Sequence, residues 1–203
     1  MTLVNAVSNK FRTKAERVER ARAEFNFTCV EPYIAPRSRV LDIGAWKCYL
    51  GELLQDHRGC AVLGLDVVNE NKTDVPLHLF DGKSLPVESE SFDVVLLLYV
   101  LHHAADDEPL LREARRVLAG DGTLIIAEDV VDGLWNCVLT VGFHVWLWLV
   151  TGMTWKGRFR KIAKWHERFL SLGFEIRGTQ PLGHHLGRLF WPRNVLFILG
   201  KAQ

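Results

Sequence analysis

Residues 39–66 read RVLDIGAWKCYLGELLQDHRGCAVLGLD. The stretch opens on a short apolar run, Arg39–Ile43, that carries an acid and stops at Gly44. A run of this length, rich in aliphatic residues and closed by a turn residue, reads as a strand buried on both faces. Tyr49–His57 has the composition of a helix, and Ala61–Asp66 is a second apolar run ending in a carboxylate. Strand, glycine-bearing loop, helix and strand make one βαβ unit, whose two strands must be parallel and whose crossover must be right-handed.

The same alternation continues outward. Leu77–Phe80 is a weaker third strand, and Phe92–Leu98 (FDVVLLL) is nearly continuous in apolar residues. Asp107–Leu118 places Leu110, Leu111, Ala114, Val117 and Leu118 on one side of a helix. Gly120–Gly122 marks a turn before a fifth strand, Thr123–Ala127. Beyond a long apolar stretch, Leu134–Met153, a basic helix at Lys161–Leu172 precedes Gly173, a strand at Phe174–Gly178 and a last strand at Val195–Leu199. Upstream, Ser8–Phe25 is a charged surface helix with sparse apolar positions at Phe11, Val18 and Phe25, and Pro32 and Pro36 punctuate a linker. Strands alternating with helices predict an α/β domain around a mostly parallel sheet. One connection is short: between Asp66 and Leu77 an irregular loop or a single turn is expected in place of a crossover helix. The whole chain, 1–203, reads as one domain with an N-terminal helical segment over 1–30 and an apolar and basic helical lid region over 132–172.

Lys and Arg total 25 against 24 for Asp and Glu, a net charge of +1, which excludes a general polyanion binder; no nucleic-acid partner is expected. Four cysteines, at 29, 48, 60 and 137, show no C-x-x-C spacing. No metal site or redox dithiol is therefore expected, and scattered thiols fit a reducing cytoplasm. Met1 to Phe25 contains no apolar run of the kind a signal peptide needs.

In an open α/β sheet the ligand lies beyond the carboxyl ends of the strands. The residues there are Asp42-Ile43-Gly44-Ala45-Trp46-Lys47-Cys48 after the first strand, Asp66 after the second, Phe80-Asp81-Gly82 after the third, and Tyr99-Val100-Leu101-His102-His103 after the fourth. From about Arg39 to Ala127 this ordered set resembles the class I S-adenosylmethionine-dependent methyltransferases, in particular the small-molecule and quinone-type branch. That family carries a V-L-D-I-G-x-G-x-G loop, an acid ending strand two, an Asp after strand three, and F-D-x-V followed by L-H-H. The resemblance implies a Rossmann-like fold with a seven-stranded sheet, its last strand antiparallel, and S-adenosylmethionine as cofactor. It implies that Asp66 accepts from the ribose hydroxyls and Asp81 from the adenine amino group. Asp42 would help hold the methionine ammonium, and Leu98 and Tyr99 would line the pocket. The helix beginning near Tyr49 offers unpaired N–H groups to the methionine carboxylate, and Gly44 allows close backbone approach.

The loop departs from the family at Trp46 and Cys48, where glycine is usual. If those positions need a positive φ, each costs roughly 1 kcal/mol or more, and the Trp46 indole either packs beside the pocket or enters the methionine site. Plainer readings stand beside each role. Asp42 and Asp66 could cap strand-end turns, Asp81-Gly82 is an ordinary turn pair, and His102-His103 could be loop packing. As a catalytic base, His103 is the candidate, with His184-His185 as a further pair. Cys48 as a nucleophile has no partner base in sight. Lys156, Arg158, Arg160, Lys161, Lys164 and Arg168 read as a solvated helix face. Two functions of other kinds are compatible with the text: a non-catalytic binding or scaffold relative, and a nicotinamide dehydrogenase, since Asp66 would also suit its ribose; the incomplete G-x-G-x-x-G disfavours the latter.

Leu134–Met153 holds Trp135, Phe143, Trp146 and Trp148. It reads as a lid helix buried over the site, as an interfacial element at a membrane surface, or as a spanning helix; Asn136 and His144 count against spanning. The lid and interfacial readings both point to a lipophilic small-molecule acceptor.

Overall fold

The computed structural model describes residues 3–104, 106–151, 159–182 and 193–202. Its strands are β1 (Arg39–Ile43), β2 (Ala61–Asp66), β3 (Leu77–Leu79), β4 (Phe92–Leu98), β5 (Leu118–Val130), β6 (Phe174–Leu182) and β7 (Arg193–Lys201). They form one sheet in the order β3-β2-β1-β4-β5-β7-β6. The first five strands pair in parallel, and β7 runs antiparallel to both β5 and β6. The expected seven-stranded Rossmann-like sheet is present. Strand order reverses between β1 and β4, so a crevice opens at their carboxyl ends.

The helices are α1 (Leu3–Val30), α2 (Tyr49–Arg58), α3 (Glu108–Val117), α4 (Leu134–Thr151) and α5 (Ile162–Ser171). β5, β6 and β7 run longer than the apolar runs suggested, because pairing of β7 with β5 and β6 satisfies the backbone of polar residues that periodicity leaves out. α1 likewise extends beyond Phe25 to Val30, which is buried against α2 and the sheet. Between β2 and β3 there is no helix. Asn71 organises that loop: its Oδ1 accepts from the Thr73 amide at 2.8 Å and its Nδ2 donates to Val75 O at 2.7 Å.

The period-2 pattern of the strands assigns two cores. Leu41, Ile43, Val95, Leu97 and Ile126 face α3 and α5, while Val40, Val94, Leu96 and Ile125 face α1 and α2. Alternation alone therefore puts Asp42 on the α1/α2 side, where it ends the row begun by Val40. The basic segment is not a solvated face throughout. Asp107 is 3% exposed, and Arg160 and Arg168 both pair with it, Arg168 at 3.0 Å, tying α5 to the start of α3. Lys164 does meet solvent, paired with exposed Glu167. Lys156 and Arg158 lie outside the described residues.

Phe169 anchors α5. It is fully buried and stacks on Trp165, centroids 5.4 Å apart, and edge-on to Phe197 of β7 at 5.3 Å. Phe169→Ala is expected to lower unfolding stability by about 3–5 kcal/mol in denaturant titration. A much smaller loss would mean that α5 is held by the Asp107 ion pairs rather than by its aromatic contact.

Candidate binding site at the carboxyl edge of the sheet

The loop after β1 turns sharply under three constraints. Gly44 sits at φ +78, and a Cβ there would meet Val100 Cγ2 at 2.4 Å, so only glycine fits this crossing of the β1 and β4 ends. The Gly44 and Ala45 amides both donate to Leu65 O, at 2.7 and 3.2 Å. Trp46 and Cys48 take φ +50 and +60. The backbone shape is thus the one glycine favours, held here by residues with side chains. The Trp46 indole remains 45% exposed, whereas Cys48 is 1% exposed and part of the α1/α2 core. Burial, with Asp42 and Asp66 nearby, pushes the Cys48 thiol pKa up to about 12, so it is no nucleophile at neutral pH.

Asp66 closes this loop onto β2. Its Oδ2 accepts the Trp46 amide at 2.8 Å, and its Oδ1 accepts the Val67 and Val68 amides at 2.7 and 3.2 Å. The turn-holding role read from sequence is therefore real, and it occupies most of the carboxylate's acceptor capacity. Asp42 differs. It is 5% exposed, and among the described residues no hydrogen-bond donor is seated on its carboxylate. Burial and then the neighbouring Asp66 push its pKa up to about 7. Beside it, α2 begins at Tyr49 without a side-chain cap, its first bond running from the Glu52 amide to Cys48 O at 3.0 Å. The amides that precede Glu52 form the positive end of that helix.

Asp81 is exposed. Its Oδ1 accepts the Lys83 and Ser84 amides, both at 2.8 Å, and these bonds hold its pKa below the usual carboxylate range. Gly82, at φ +79, lies against Val67, which brings the β3 loop beside the end of β2. Leu98 and Tyr99 are half-buried at the end of β4. Tyr99 takes φ +61, which turns its ring onto the α1/α2 face, under the Arg22 guanidinium at 4.6 Å. Burial raises the phenol pKa well above its ordinary value. α1 lies across the β1–α2 loop: Lys47 pairs with Glu19, and Arg20 pairs with Glu52 while stacking over the Tyr49 ring at 4.1 Å. A hollow of about 370 Å³ lined by Arg39, Ala61 and Phe92 lies at the opposite edge, where strands begin, and is the wrong end for a ligand.

A second polar cluster occupies the ends of β4 and β5. His102 Nδ1 donates to Glu128 Oε2 at 2.7 Å, and Glu128 Oε1 accepts the Leu101 amide at 2.7 Å. His102 and Glu128 are 5% and 0% exposed. Burial opposes charging of His102, but the Glu128 carboxylate outweighs it and raises the imidazole pKa. Of the two adjacent histidines, His103 is the exposed one. Desolvation of its ring, then His102 and His144, push its pKa down to about 4, which makes it a weak base. Glu128, Asp129 and His144 were not legible as site residues. Their only signal in the sequence was position, directly after the fifth strand and inside the apolar stretch. His184-His185 lie outside the described residues.

α4 is not the buried lid expected of it. Thr140 and His144 are buried, but Trp135, Val138, Trp146, Trp148 and Leu149 are 51–71% exposed. Among the described residues no helix is long and apolar enough to cross a membrane, which removes the spanning reading there.

Residues 41–126 match the family model of a methyltransferase domain. Over 100 residues the chain is 34% identical to the demethylmenaquinone methyltransferase of Corynebacterium urealyticum, a match covering 47% of this chain and 43% of that protein. The chain thus spans less than half the length of that curated relative. A chain of the Haloferax volcanii complex containing the Trm112 methyltransferase activator superposes with a TM-score of 0.74 at 18% identity, over 100% of this chain and 99% of that one. An S-adenosylmethionine-dependent methyltransferase of Thermotoga maritima does so with a TM-score of 0.71 at 19% identity, over 96% and 97%.

The two departures from glycine have different consequences. Trp46→Gly removes left-handed strain at an exposed side chain and is expected to raise stability by about 1 kcal/mol. Cys48→Gly relieves the same strain but empties a buried position, so no gain is expected from it. Denaturant titration of the two single variants checks this; equal gains would mean that the Cys48 thiol contributes nothing to packing.

Proposed function

We propose that this chain belongs to the class I S-adenosylmethionine-dependent methyltransferases and moves a methyl group from S-adenosylmethionine to a small lipophilic acceptor of the quinone type, a reading supported by the match of residues 41–126 to a methyltransferase domain. The observation that carries the cofactor reading is Asp42: a carboxylate 5% exposed, beside the open end of α2, with no donor on it among the described residues. An amino-acid head group, with its ammonium on Asp42 and its carboxylate on the α2 amides, matches both charges at once.

S-adenosylmethionine supplies a sulfonium methyl that an acceptor nucleophile takes by in-line displacement. The side chains named here bind and orient. Asp66, while keeping the loop amides, offers its remaining acceptor position to the ribose hydroxyls. Asp81 keeps Oδ1 on its own turn and offers its other oxygen to the adenine amino group. Gly44 lets the cofactor lie against backbone, Leu98 and Tyr99 wall the cleft, and Trp46 shields its mouth. α1, pinned across the loop by Glu19 and Arg20, excludes water from the same cleft. His103, neutral at physiological pH, is not required by this reading.

Two features support the acceptor class. α4 exposes the apolar side chains of Trp135, Trp146, Trp148 and Leu149, which suit a lipid surface or an apolar substrate. The curated relative from Corynebacterium urealyticum acts, by its name, on demethylmenaquinone. We place the chain peripherally at a membrane surface, with α4 as the contact.

Calorimetry with S-adenosylhomocysteine tests the cofactor site. The ammonium needs an ionised Asp42, so below a pKa of about 7 a proton must leave on binding and affinity falls. Affinity is therefore expected to climb as pH rises through that value and then level off, and Asp42→Asn should abolish the dependence. A flat profile in the parent protein removes Asp42 from the ammonium. Asp66→Ala should weaken binding by about 1.5–3 kcal/mol; unchanged affinity would take Asp66 out of the site.

For the acceptor side, the double variant Trp146→Ser, Trp148→Ser is expected to lose binding to anionic phospholipid vesicles in sedimentation while holding S-adenosylhomocysteine as before. Equal sedimentation of both proteins would count against a membrane-facing α4.

A further inference from the structure

His102, Asp129 and His144 come from three separate elements: the turn after β4, the end of β5 and the middle of α4. Each offers one ligand atom, and the three atoms lie within 4.8 Å of one another. All three residues are buried, at 5%, 8% and 8% exposure. Both histidines are oriented in the same way. His102 Nδ1 faces Glu128 Oε2 at 2.7 Å, and His144 Nδ1 faces Thr140 O at 2.9 Å. A carboxylate and a backbone carbonyl are the two groups that hold metal-binding imidazoles by their far nitrogen, which fixes the tautomer and leaves Nε2 as the electron-pair donor. His144 Nε2 stands 3.6 Å from Asp129 Oδ2. Two donors each about 2.1 Å from one ion are at most about 4.2 Å apart, so that pair already fits and the full set closes with a shift of about half an ångström.

Charge points the same way. Glu128 and Asp129 are adjacent carboxylates, 0% and 8% exposed, and the His102 and His144 imidazoles stand directly beside them. The cation that reaches this corner from α1, Arg22, is itself exposed and stacked on Tyr99. Thr140, fully buried one turn before His144, has a hydroxyl without a hydrogen-bond partner. We propose that His102, Asp129 and His144 bind one divalent first-row transition ion of the zinc type, with Glu128 and the Thr140 carbonyl as the outer groups that aim the two imidazoles. Two imidazole nitrogens and one carboxylate suit such an ion better than magnesium or calcium, and three protein ligands leave a position open. The ion ties α4 to β5 and to the turn after β4, at the same carboxyl edge as Asp42 and Asp66. The site stands apart from the cofactor reading, because none of its ligands belongs to that cleft.

The test uses the full chain stripped with chelator and titrated with Zn²⁺ by calorimetry, and with Co²⁺ by visible absorption. One ion per chain is expected, with a rise in melting temperature and an intense cobalt spectrum of low coordination number. His144→Gln and Asp129→Asn should each weaken binding by more than Glu128→Gln, whose effect through His102 is expected at about 10- to 100-fold. Absence of stoichiometric uptake by the parent overturns the proposal, as does uptake that survives both His144→Gln and Asp129→Asn. Should a variant fail to fold, the cobalt spectrum of the parent still decides: weak octahedral bands or none overturn the site. S-adenosylhomocysteine titration of the same samples keeps the outcome separate from that of the cofactor reading.

Discussion

The hydrogen bond from the Trp46 amide to Asp66 holds together the loop on which the proposed cofactor site is built. It joins the loop after β1 to the end of β2, and the Val67 and Val68 amides bind the same carboxylate from the other side. Left-handed backbone at Trp46 and Cys48 costs about 1–3 kcal/mol at each residue and persists only where its surroundings over-determine it. The surroundings here are that carboxylate, the Leu65 carbonyl under Gly44 and Ala45, and the packing of Cys48 in the core. A glycine loop would have the same shape without strain. This chain reaches it by hydrogen bonding and burial instead, and so tolerates an indole at the mouth of the cleft.

Two carboxylates at the ends of neighbouring parallel strands also set the electrostatics. Asp66 is satisfied by amides and Asp42 is not, so the cost of a second buried charge falls on Asp42 and raises its pKa to about 7. A ligand bearing a cation relieves that cost on arrival. The opposite corner repeats the theme with Glu128 and Asp129 at the end of β5, where two imidazoles stand beside the carboxylates and the Leu101 amide binds Glu128. The carboxyl edge thus carries one arrangement suited to an organic cation and another suited to a metal ion. α1 covers the first, and the buried side of α4 covers the second.

α4 faces two ways. Thr140 and His144, one turn apart, seat it against the sheet, and its tryptophans point outward. A helix this apolar on its outer side lacks the polar face that ordinary surface helices carry. The composition that marks it as unusual is a property of the side away from the sheet, and its buried polar residues, Thr140 and His144, lie on the side toward it.

The sequence by itself determined the sheet and the polar residues at its carboxyl edge. The apolar runs of β1, β2 and β4, and the acids near the ends of the first two, specify buried strands through periodicity and length, and Asp42, Asp66 and Asp81 stand at or after strand ends. Resemblance to a glycine-rich loop marked Trp46 and Cys48 as positions that would be strained if their φ were positive, and the structure gives them φ +50 and +60. Tertiary structure decided what depends on partners distant in the chain. Pairing with β7 extended β5, α3 took Arg160 and Arg168 out of solvent through Asp107, and a left-handed Tyr99 redirected its ring. Folding also gathered His102, Glu128, Asp129 and His144 into one cluster, although no spacing among them resembles a ligand motif. Local patterns record which face a residue occupies; which residues meet across the end of a sheet is fixed only when the helices that follow the strands have packed.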